Sequence, residues 1–362
     1  MHKRHFFAFF ALHAAVLLYL ALMTPITPYE AKIFYDKPHT LVGYLMHGGY
    51  ALWPSVFGLR IAFVALAFSA VWGYYYLIKR DQGERRSDVY LSATLFMFLP
   101  GIVIAGSMAN IGIVVLNLVI LFLHAYASKR TIAAIGVMLL LFLVHEASVI
   151  FFLALLFYAF ATRHQRLMLA SATFLIAHLI LERGIDIGGR PSGHFLDIFG
   201  LYATVFSPLL FLYFVYTMYR ILLRGERTVV WYIAFTALIV SLLLSLRQKV
   251  YITDFAPYVM IATHLMIETF QKSVRVRLPQ FRKPYYVAFG VTIAMLAFTI
   301  VVALTARITY RLSEHPEKHF AARIYEPYEL AMRLKREGIS CYDVTGRKAL
   351  QLRFYGISTC GR

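Results

Sequence analysis

The stretch TPITPYEAKIFYDKPHTLVGYLMHGGYALWPSVFGLR, from Thr24 to Arg60, is polar and aromatic, and apolar runs flank it on both sides. Before it lies Phe6–Met23, free of Lys, Arg, Asp and Glu, and after it a second apolar run occupies 59–78. Crossing a bilayer takes about 20 mostly apolar helical residues, and both runs come close to that length. The loop between them therefore leaves a membrane and returns to it. It carries two carboxylates, Glu30 and Asp36, to the bilayer edge. An acid in that place is either a solvated loop residue or a group with chemistry to do.

Outward from this loop the chain keeps the same character. Hydrophobic residues make up 60% of it and charged residues 15%, with a mean hydropathy of +0.67. Soluble domains carry about 25% charged residues, so the composition is that of an integral membrane protein. TPITPYE follows Phe6–Met23 where a cleavage site would need small residues, so the first run reads as a retained helix and not a signal peptide. The formal net charge of +18 would suit a nucleic-acid binder, but the distribution of charge excludes that reading and no nucleic-acid partner is expected. Lys and Arg gather in alternate connectors, such as Lys79, Arg80, Arg85 and Arg86, or Lys272, Arg275, Arg277, Arg282 and Lys283. The connectors between them hold fewer: Lys32, Lys37, Arg183, Arg190, Arg247 and Lys249, with Arg60 at the edge of the following helix. By the positive-inside rule the amino terminus is cytoplasmic and the Thr24–Arg60 loop lies outside.

Helices are expected at about 6–23, 59–78, 88–106, 111–127, 131–144, 147–162, 167–182, 199–220, 228–246, 252–270 and 285–306. The fold class is an all-α polytopic membrane protein with about eleven transmembrane helices and an extracytoplasmic carboxyl terminus. The 88–127 and 131–162 blocks are short for two full spans each, so one helix of each pair should tilt or insert partly. No internal repeat divides the chain, and 1–306 reads as one transmembrane domain whose outer loop, 24–58, carries short juxtamembrane helices. From Arg307 onward the composition changes. AARIYEPYELAMRLKREG reads as a helix stopped at Gly338, and ISCYDV and ALQLRFYGI as two short strands around a VTGRK turn. The segment 307–362 is thus expected to be a small α/β extracytoplasmic appendage. It holds Cys341 and Cys360; an oxidising exterior permits a disulfide between them, and two unpaired thiols are the alternative.

Glu30 follows Pro25, Pro28 and Tyr29 and opens the amphipathic segment EAKIFYD. Asp36, His39 and His47 share its loop with Tyr29, Tyr35, Tyr44, Tyr50 and Trp53. Aromatic residues favour membrane interfaces, which explains them without any chemistry. Arg247 and Lys249, at the outer end of a helix, either snorkel to the interface or clamp a phosphate, and Lys32 beside Glu30 is a third such cation. His145 and Glu146, in FLVHEASVIFF, are an ionisable pair between two apolar runs. They line a cavity or form a solvated, mutually paired turn. Arg183, Asp186, Arg190 and His194, in ERGIDIGGRPSGHFLD, read as solvated loop residues, with acceptor contact as the functional alternative. No His or carboxylate spacing argues for a metal, and no cofactor is expected.

Taken in chain order, these stretches resemble the GT-C superfamily of polyprenyl-phosphate-dependent glycosyltransferases, which includes protein O-mannosyltransferases and lipid A aminoarabinose transferases. YEAKIFY (Tyr29–Tyr35) is similar to the family's D-E-A-x-x-Y motif, KPHTLVGYL (Lys37–Leu45) to its H-P-P-L segment, and FGLRIAF (Phe57–Phe63) to its G-x-x-x-x-x-R-L run. RQKVYITDFAPYVMI (Arg247–Ile261) and the Phe354-Tyr355 pair of the tail match later features. Two positions depart from the pattern. Tyr29-Glu30 stands where the family has an acidic pair, and Asn110 where it has an Asp. The resemblance implies a bacterial inner-membrane glycosyltransferase. Its donor would be a polyprenyl-phosphate-linked sugar and its acceptor a lipid, glycan or protein at the outer face, among membrane lipids. Glu30 or Asp36 would be the general base, Arg247, Lys249 and Lys32 would hold the donor phosphate, and Tyr29, Tyr35, His39, Asn110, His145, Glu146 and Tyr251 would line the substrate cavity. The residue types suit that chemistry. A carboxylate in a partly desolvated, aromatic-lined cavity gains proton affinity and can take the proton of an acceptor hydroxyl, and fixed cations stabilise the departing phosphate.

Other functions remain compatible with the composition. A polysaccharide polymerase or ligase acting on polyprenyl-diphosphate glycans is the enzymatic alternative. A transporter or flippase would be expected to show repeated halves and charged, broken helices at the midplane, whereas the polar residues here gather in outer loops. A non-catalytic assembly protein fits the missing acids.

Overall fold

The apolar runs become helices because a backbone in lipid must satisfy its own hydrogen bonds. The computed structural model describes residues 3–81, 86–181 and 193–360. Its helices begin with α1 (Lys3–Met23), α2 (Pro28–Asp36), α3 (Leu41–Leu52), α4 (Val56–Asp81), α5 (Arg86–Met97) and α6 (Pro100–Ser107). There follow α7 (Ile111–Ala127), α8 (Thr131–Val144), α9 (Val149–Thr162), α10 (Gln165–Ile180), α11 (Phe195–Phe206), α12 (Pro208–Arg224) and α13 (Val229–Ser245). The last are α14 (Ala256–Met260), α15 (Thr263–Arg275), α16 (Lys283–Leu304), α17 (Ala306–Leu312), α18 (Ala322–Arg336) and α19 (Gly346–Phe354).

Every apolar run is helical, but not every one is long enough to cross a bilayer by itself. Among the described residues three helices have the length and composition to do so, Arg4–Met23, Val56–Arg80 and Pro279–Leu304. Two bent pairs raise the number to five: α5 with α6 at 54°, and α11 with α12 at 105°. Both breaks precede a proline, Pro100 and Pro208, and the residue before proline is pushed out of the helical region. Ser207 at the second break has φ +82°. The helices α7 to α10 and α13 are apolar but run to at most 17 residues. At 1.5 Å per residue they fall short of a hydrocarbon core about 30 Å thick.

The chain divides into two units. The first comprises 1–13, 66–103 and 111–299. Within it α9 packs against α10 and α13, α7 against α8 and α14, and α15 against α5 and α12. Polar side chains tie apolar helices together here. Asn117 Nδ2 donates across to Leu66 O of α4 (2.9 Å) and within its own helix to Ile113 O (2.8 Å), and His124 Nε2 donates to Gly73 O of α4 (2.8 Å). The hydroxyl of Tyr74 accepts from His264 N–H at 2.8 Å. Such interhelical hydrogen bonds hold helices where lipid supplies no hydrophobic drive for association.

The second unit comprises 14–65, 104–110 and 300–362. The Thr24–Arg60 loop folds into α2 and α3, joined by a bond from His47 Nε2 to Phe34 O (3.0 Å) and by stacking of the two rings at 4.1 Å. The tail clasps this loop. Tyr355 Oη accepts from Ile26 N–H at 3.0 Å, and Gln351 Nε2 donates to Ile26 O at 2.9 Å. Arg353 lies over the Tyr35 ring at 4.6 Å. The α18 helix and its stop at Gly338, with φ +72°, are as expected. The two strands are not. ALQLRFYGI lies largely in α19, whose Leu352 joins Ala331, Leu334 and Ile357 in a small buried cluster. Ala, Leu, Gln and Arg are all good helix formers, and the apolar face of α18 gives them something to pack on. No strand occurs among the described residues, and one isolated parallel bridge, Cys341 to Ser358, takes the place of the expected hairpin. A parallel pairing needs a crossover, which α19 supplies. Cys341 and Cys360 are joined in a disulfide.

Two glycines set the approach of α3 to α4. A Cβ at Gly58 would lie 1.9 Å from Trp53 O, and one at Gly49 would lie 2.2 Å from Gly58 O. Backbone on both sides leaves no flexible atom to move away. Gly58→Ala is therefore expected to lower the melting temperature in detergent clearly, while Gly48→Ala, whose Cβ meets nothing within 4 Å, should not; equal melting of the two would refute the close-approach role.

Candidate functional site

The Thr24–Arg60 loop is organised around one buried ion pair. Thr27 caps α2, its Oγ1 accepting from Glu30 N–H at 3.2 Å while Glu30 Oε2 accepts from Thr27 N–H at 2.9 Å. This capping box aims the Glu30 side chain back at the helix start. There it meets Arg60, which reaches over from the first turns of α4. Arg60 Nε donates to Glu30 Oε1 at 2.8 Å and Nη2 to Oε2 at 2.7 Å, and both side chains are 0% exposed. Ala109 N–H also donates to Oε1, at 2.9 Å. The remaining Arg60 donors go to the carboxyl end of α1 and the residues after it: Nη1 to Ala21 O (3.0 Å) and Thr24 O (2.8 Å), Nη2 to Pro25 O (2.9 Å). Those carbonyls have no helical partner of their own. All five guanidinium N–H groups are used, and each carboxylate oxygen accepts two bonds. Burial by itself would push the Glu30 carboxyl up. The Arg60 charge and hydrogen bonds, with the Ala109 and Thr27 N–H groups, outweigh it and hold the carboxyl below its ordinary range. The expected gain in proton affinity is thus reversed, because the residue facing Glu30 is a guanidinium and not an apolar wall. With its lone pairs taken, Glu30 has no oxygen to offer an acceptor hydroxyl.

Close to this pair in sequence and space, the same unit has a cavity of about 440 Å³ whose walls include Met23, Pro25, Trp53, Phe57, Tyr328 and Tyr355. Arg307 reaches it and lies 6.0 Å over the Tyr328 ring, and no acid pairs with Arg307 among the described residues. Aromatic faces beside one cation suit a sugar phosphate. Tyr355 remains a neutral phenol there, its hydroxyl pushed up to about 12 by burial.

The other unit has its own cluster of ionisable groups, in the connectors after α8 and α13. His145 ends α8, is buried, and has Nε2 3.9 Å from Asp254 Oδ1. Neither that nitrogen nor the buried hydroxyl of Tyr258 has a hydrogen-bond partner among the described residues. Burial pushes the Asp254 carboxyl up to about 6, with the Glu146 charge adding to it, and pushes His145 down to about 4. A carboxylate with a proton affinity near neutrality, beside a neutral imidazole, has the properties of a general base.

No protein-family model matches the chain, nor does the sequence of any curated protein. Solved structures do match it. ArnT from Cupriavidus metallidurans in the apo state gives a TM-score of 0.60 at 12% identity over 97% of this chain and 84% of that one. ArnT from the same organism bound to undecaprenyl phosphate gives 0.59 at 11% identity, over 99% of this chain and 76% of that one. The chain has a GT-C-like fold.

On this GT-C-like fold the remaining residues singled out in the sequence take the following places. Asp36 is exposed at the end of α2, Lys32 is half-buried on it, and Tyr29 is 42% exposed. Tyr35 is occupied in packing beneath Arg353. His39 is exposed, its ring 6.3 Å from that of Tyr44. Asn110 directly follows the Ala109 amide that binds Glu30. Arg247, Lys249 and Tyr251 are exposed in the connector leading to Asp254, and Glu146 is exposed beside His145. His194 pairs with Asp197 at 3.0 Å, whereas Arg183, Asp186 and Arg190 lie outside the described residues. Among the described residues no group of three His, Cys, Asp or Glu could hold a metal. Arg60, Asp254 and Arg307 are the additions made by the structure. The legible signal for the first was the Thr27-x-x-Glu30 spacing, which turns the carboxylate inward.

Proposed function

We propose that this protein is a membrane glycosyltransferase moving a sugar from a polyprenyl-phosphate donor to a hydroxyl of a lipid, glycan or protein acceptor at the outer face of a bacterial cytoplasmic membrane. One observation carries this reading: from end to end the chain has the fold of a protein that binds undecaprenyl phosphate. The alternation of basic connectors supports an outward-facing site. In the proposed reaction the acceptor oxygen attacks the anomeric carbon and its proton passes to the Asp254 carboxylate. The bond from the anomeric carbon to the phosphate oxygen breaks, and its electron pair leaves with the polyprenyl phosphate. Arg247 and Lys249, on the same connector as Asp254, are the cations proposed to meet that charge. Glu30 serves with Arg60 to hold the outer loop in place and is not the base. The Arg307 cavity supports a second assignment of the phosphate, since its cation has no acid partner among the described residues.

Purified protein in nanodiscs, offered undecaprenyl-phosphate hexoses and pentoses, is expected to release or transfer the sugar. Arg247→Ala should raise the donor KM about 10-fold or more, the scale of a hydrogen bond to a charged group. A loss confined to Arg307→Ala would move the phosphate to that cavity. Donors left intact across the panel would remove the enzymatic reading.

A further inference from the structure

The cytoplasmic ends of the helices, by the charge rule, hold a feature that the proposed reaction does not use. Between the end of α12, the start of α13 and the length of α15 lies a cavity of about 600 Å³. Four cations line it, Arg220, Arg224, Lys272 and Arg277, against two acids, Glu226 and Glu268. Glu268 is already engaged by Lys272 at 2.6 Å. Two of the arginines are fixed by a common residue: Arg220 donates to Ser273 Oγ and Arg277 to Ser273 O. Arg277 is further held 3.9 Å over the Tyr285 ring. Arg224 has no hydrogen bond or ion pair among the described residues. Thr228, also on the cavity wall, caps α13, so the positive end of that helix opens at the same place. Positive-inside charge alone calls for scattered basic residues. It does not call for a concave site with pre-set arginines.

The walls decide what kind of anion fits. Ile221, Leu223 and Leu265 form an apolar side, and Tyr216 and Tyr219 are exposed by 48% and 58%. A free phosphate would leave that surface in water, whereas a lipid covers it with an acyl chain while its phosphate meets the arginines. Basic pockets between helices on the cytoplasmic side suit anionic headgroups. We infer that this cavity is a binding site for the phosphate headgroup of an anionic membrane lipid. The inference is independent of the glycosyltransferase reading, since binding there requires no turnover.

The test is native mass spectrometry of the detergent-solubilised full chain, titrated separately with phosphatidylglycerol, phosphatidylcholine and inorganic phosphate. Phosphatidylglycerol should bind most tightly. Arg224→Gln should weaken it about five-fold and Arg220→Gln with Arg224→Gln about 25-fold, taking the usual effect of one basic side chain near an anionic surface. Arg166→Gln, exposed on α10 away from the cavity wall, should bind like wild type. Arg224 is itself exposed, so its variant keeps the fold in place for the comparison. Equal binding of phosphatidylcholine, or unchanged binding by both cavity variants, overturns the site. Inorganic phosphate binding as tightly as phosphatidylglycerol overturns the lipid assignment and leaves a free-anion site.

Discussion

Arg60→Ala is expected to destabilise the protein by about 3–5 kcal/mol, the cost of stranding a buried charge by removing its partner. The loss should be concentrated in the Thr24–Arg60 loop, seen as a lowered melting temperature in detergent and as rapid proteolysis within 24–58. The guanidinium serves three carbonyls at the end of α1 and just after it as well as both oxygens of the Glu30 carboxylate, so its removal leaves five acceptor oxygens short of a donor. Arg60→Lys should rescue little, because an ammonium has three donors and no planar fork. Glu30→Gln keeps the shape but turns one oxygen into a donor facing donors, so it too should lower stability. The Glu30→Ala, Arg60→Ala pair should cost less than the two single changes added together, since no charge is left alone. It should not recover wild-type stability, because the Thr27 and Ala109 amides lose their acceptor. The sign of the pH dependence follows from the lowered Glu30 carboxyl. Its contribution is complete above the ordinary value of 4.5 and is lost as pH falls through the lower folded value. An Arg60→Ala protein that melts with wild type would sink this account.

The same pair shows how far the sequence could be read. The helices were legible because lipid leaves an apolar run no other ordered state. The tail helix was legible at Gly338, whereas the bends were not: the expected helices 88–106 and 199–220 run straight through Pro100 and Pro208, the two prolines at which the chain turns. ALQLRFYGI was misread because its short apolar pattern suits strand or helix equally, and only the packing of Leu352 on α18 decides. Glu30 stands out in the sequence as an acid of the Thr24–Arg60 loop, but its surroundings turn on Arg60, a basic residue at the start of an apolar helix that by itself looks like an interfacial anchor. Ion pairing across distant segments leaves no periodic mark. The Asp254–His145 approach is hidden for the same reason: they lie in two connectors more than a hundred residues apart in sequence, and the fold of one unit brings them to 3.9 Å.

Asp254→Asn is expected to lower kcat/KM about 100-fold or more, the lower end of a general-base contribution, with folding and donor binding retained. The amide is isosteric and the side chain is 27% exposed, so no buried charge is stranded by the change. The pH profile gives a readout that a structural role would not move. In wild type, kcat/KM should rise with pH through about 6 as the Asp254 carboxyl gives up its proton. His145 does not supply that limb, since burial holds it down near 4 and it is already neutral there. The groups facing Asp254 are consistent with this order: Thr253 Oγ1 donates to Oδ1 at 3.4 Å and favours the charged form, while burial and the nearby Glu146 charge favour the neutral one and prevail. Glu146→Gln should therefore move the limb to lower pH without abolishing activity. In Asp254→Asn the limb near 6 should vanish along with the rate. If that variant turns over at the wild-type rate with the limb intact, the base lies elsewhere, and Asp36, exposed at the end of α2, becomes the next carboxylate to replace.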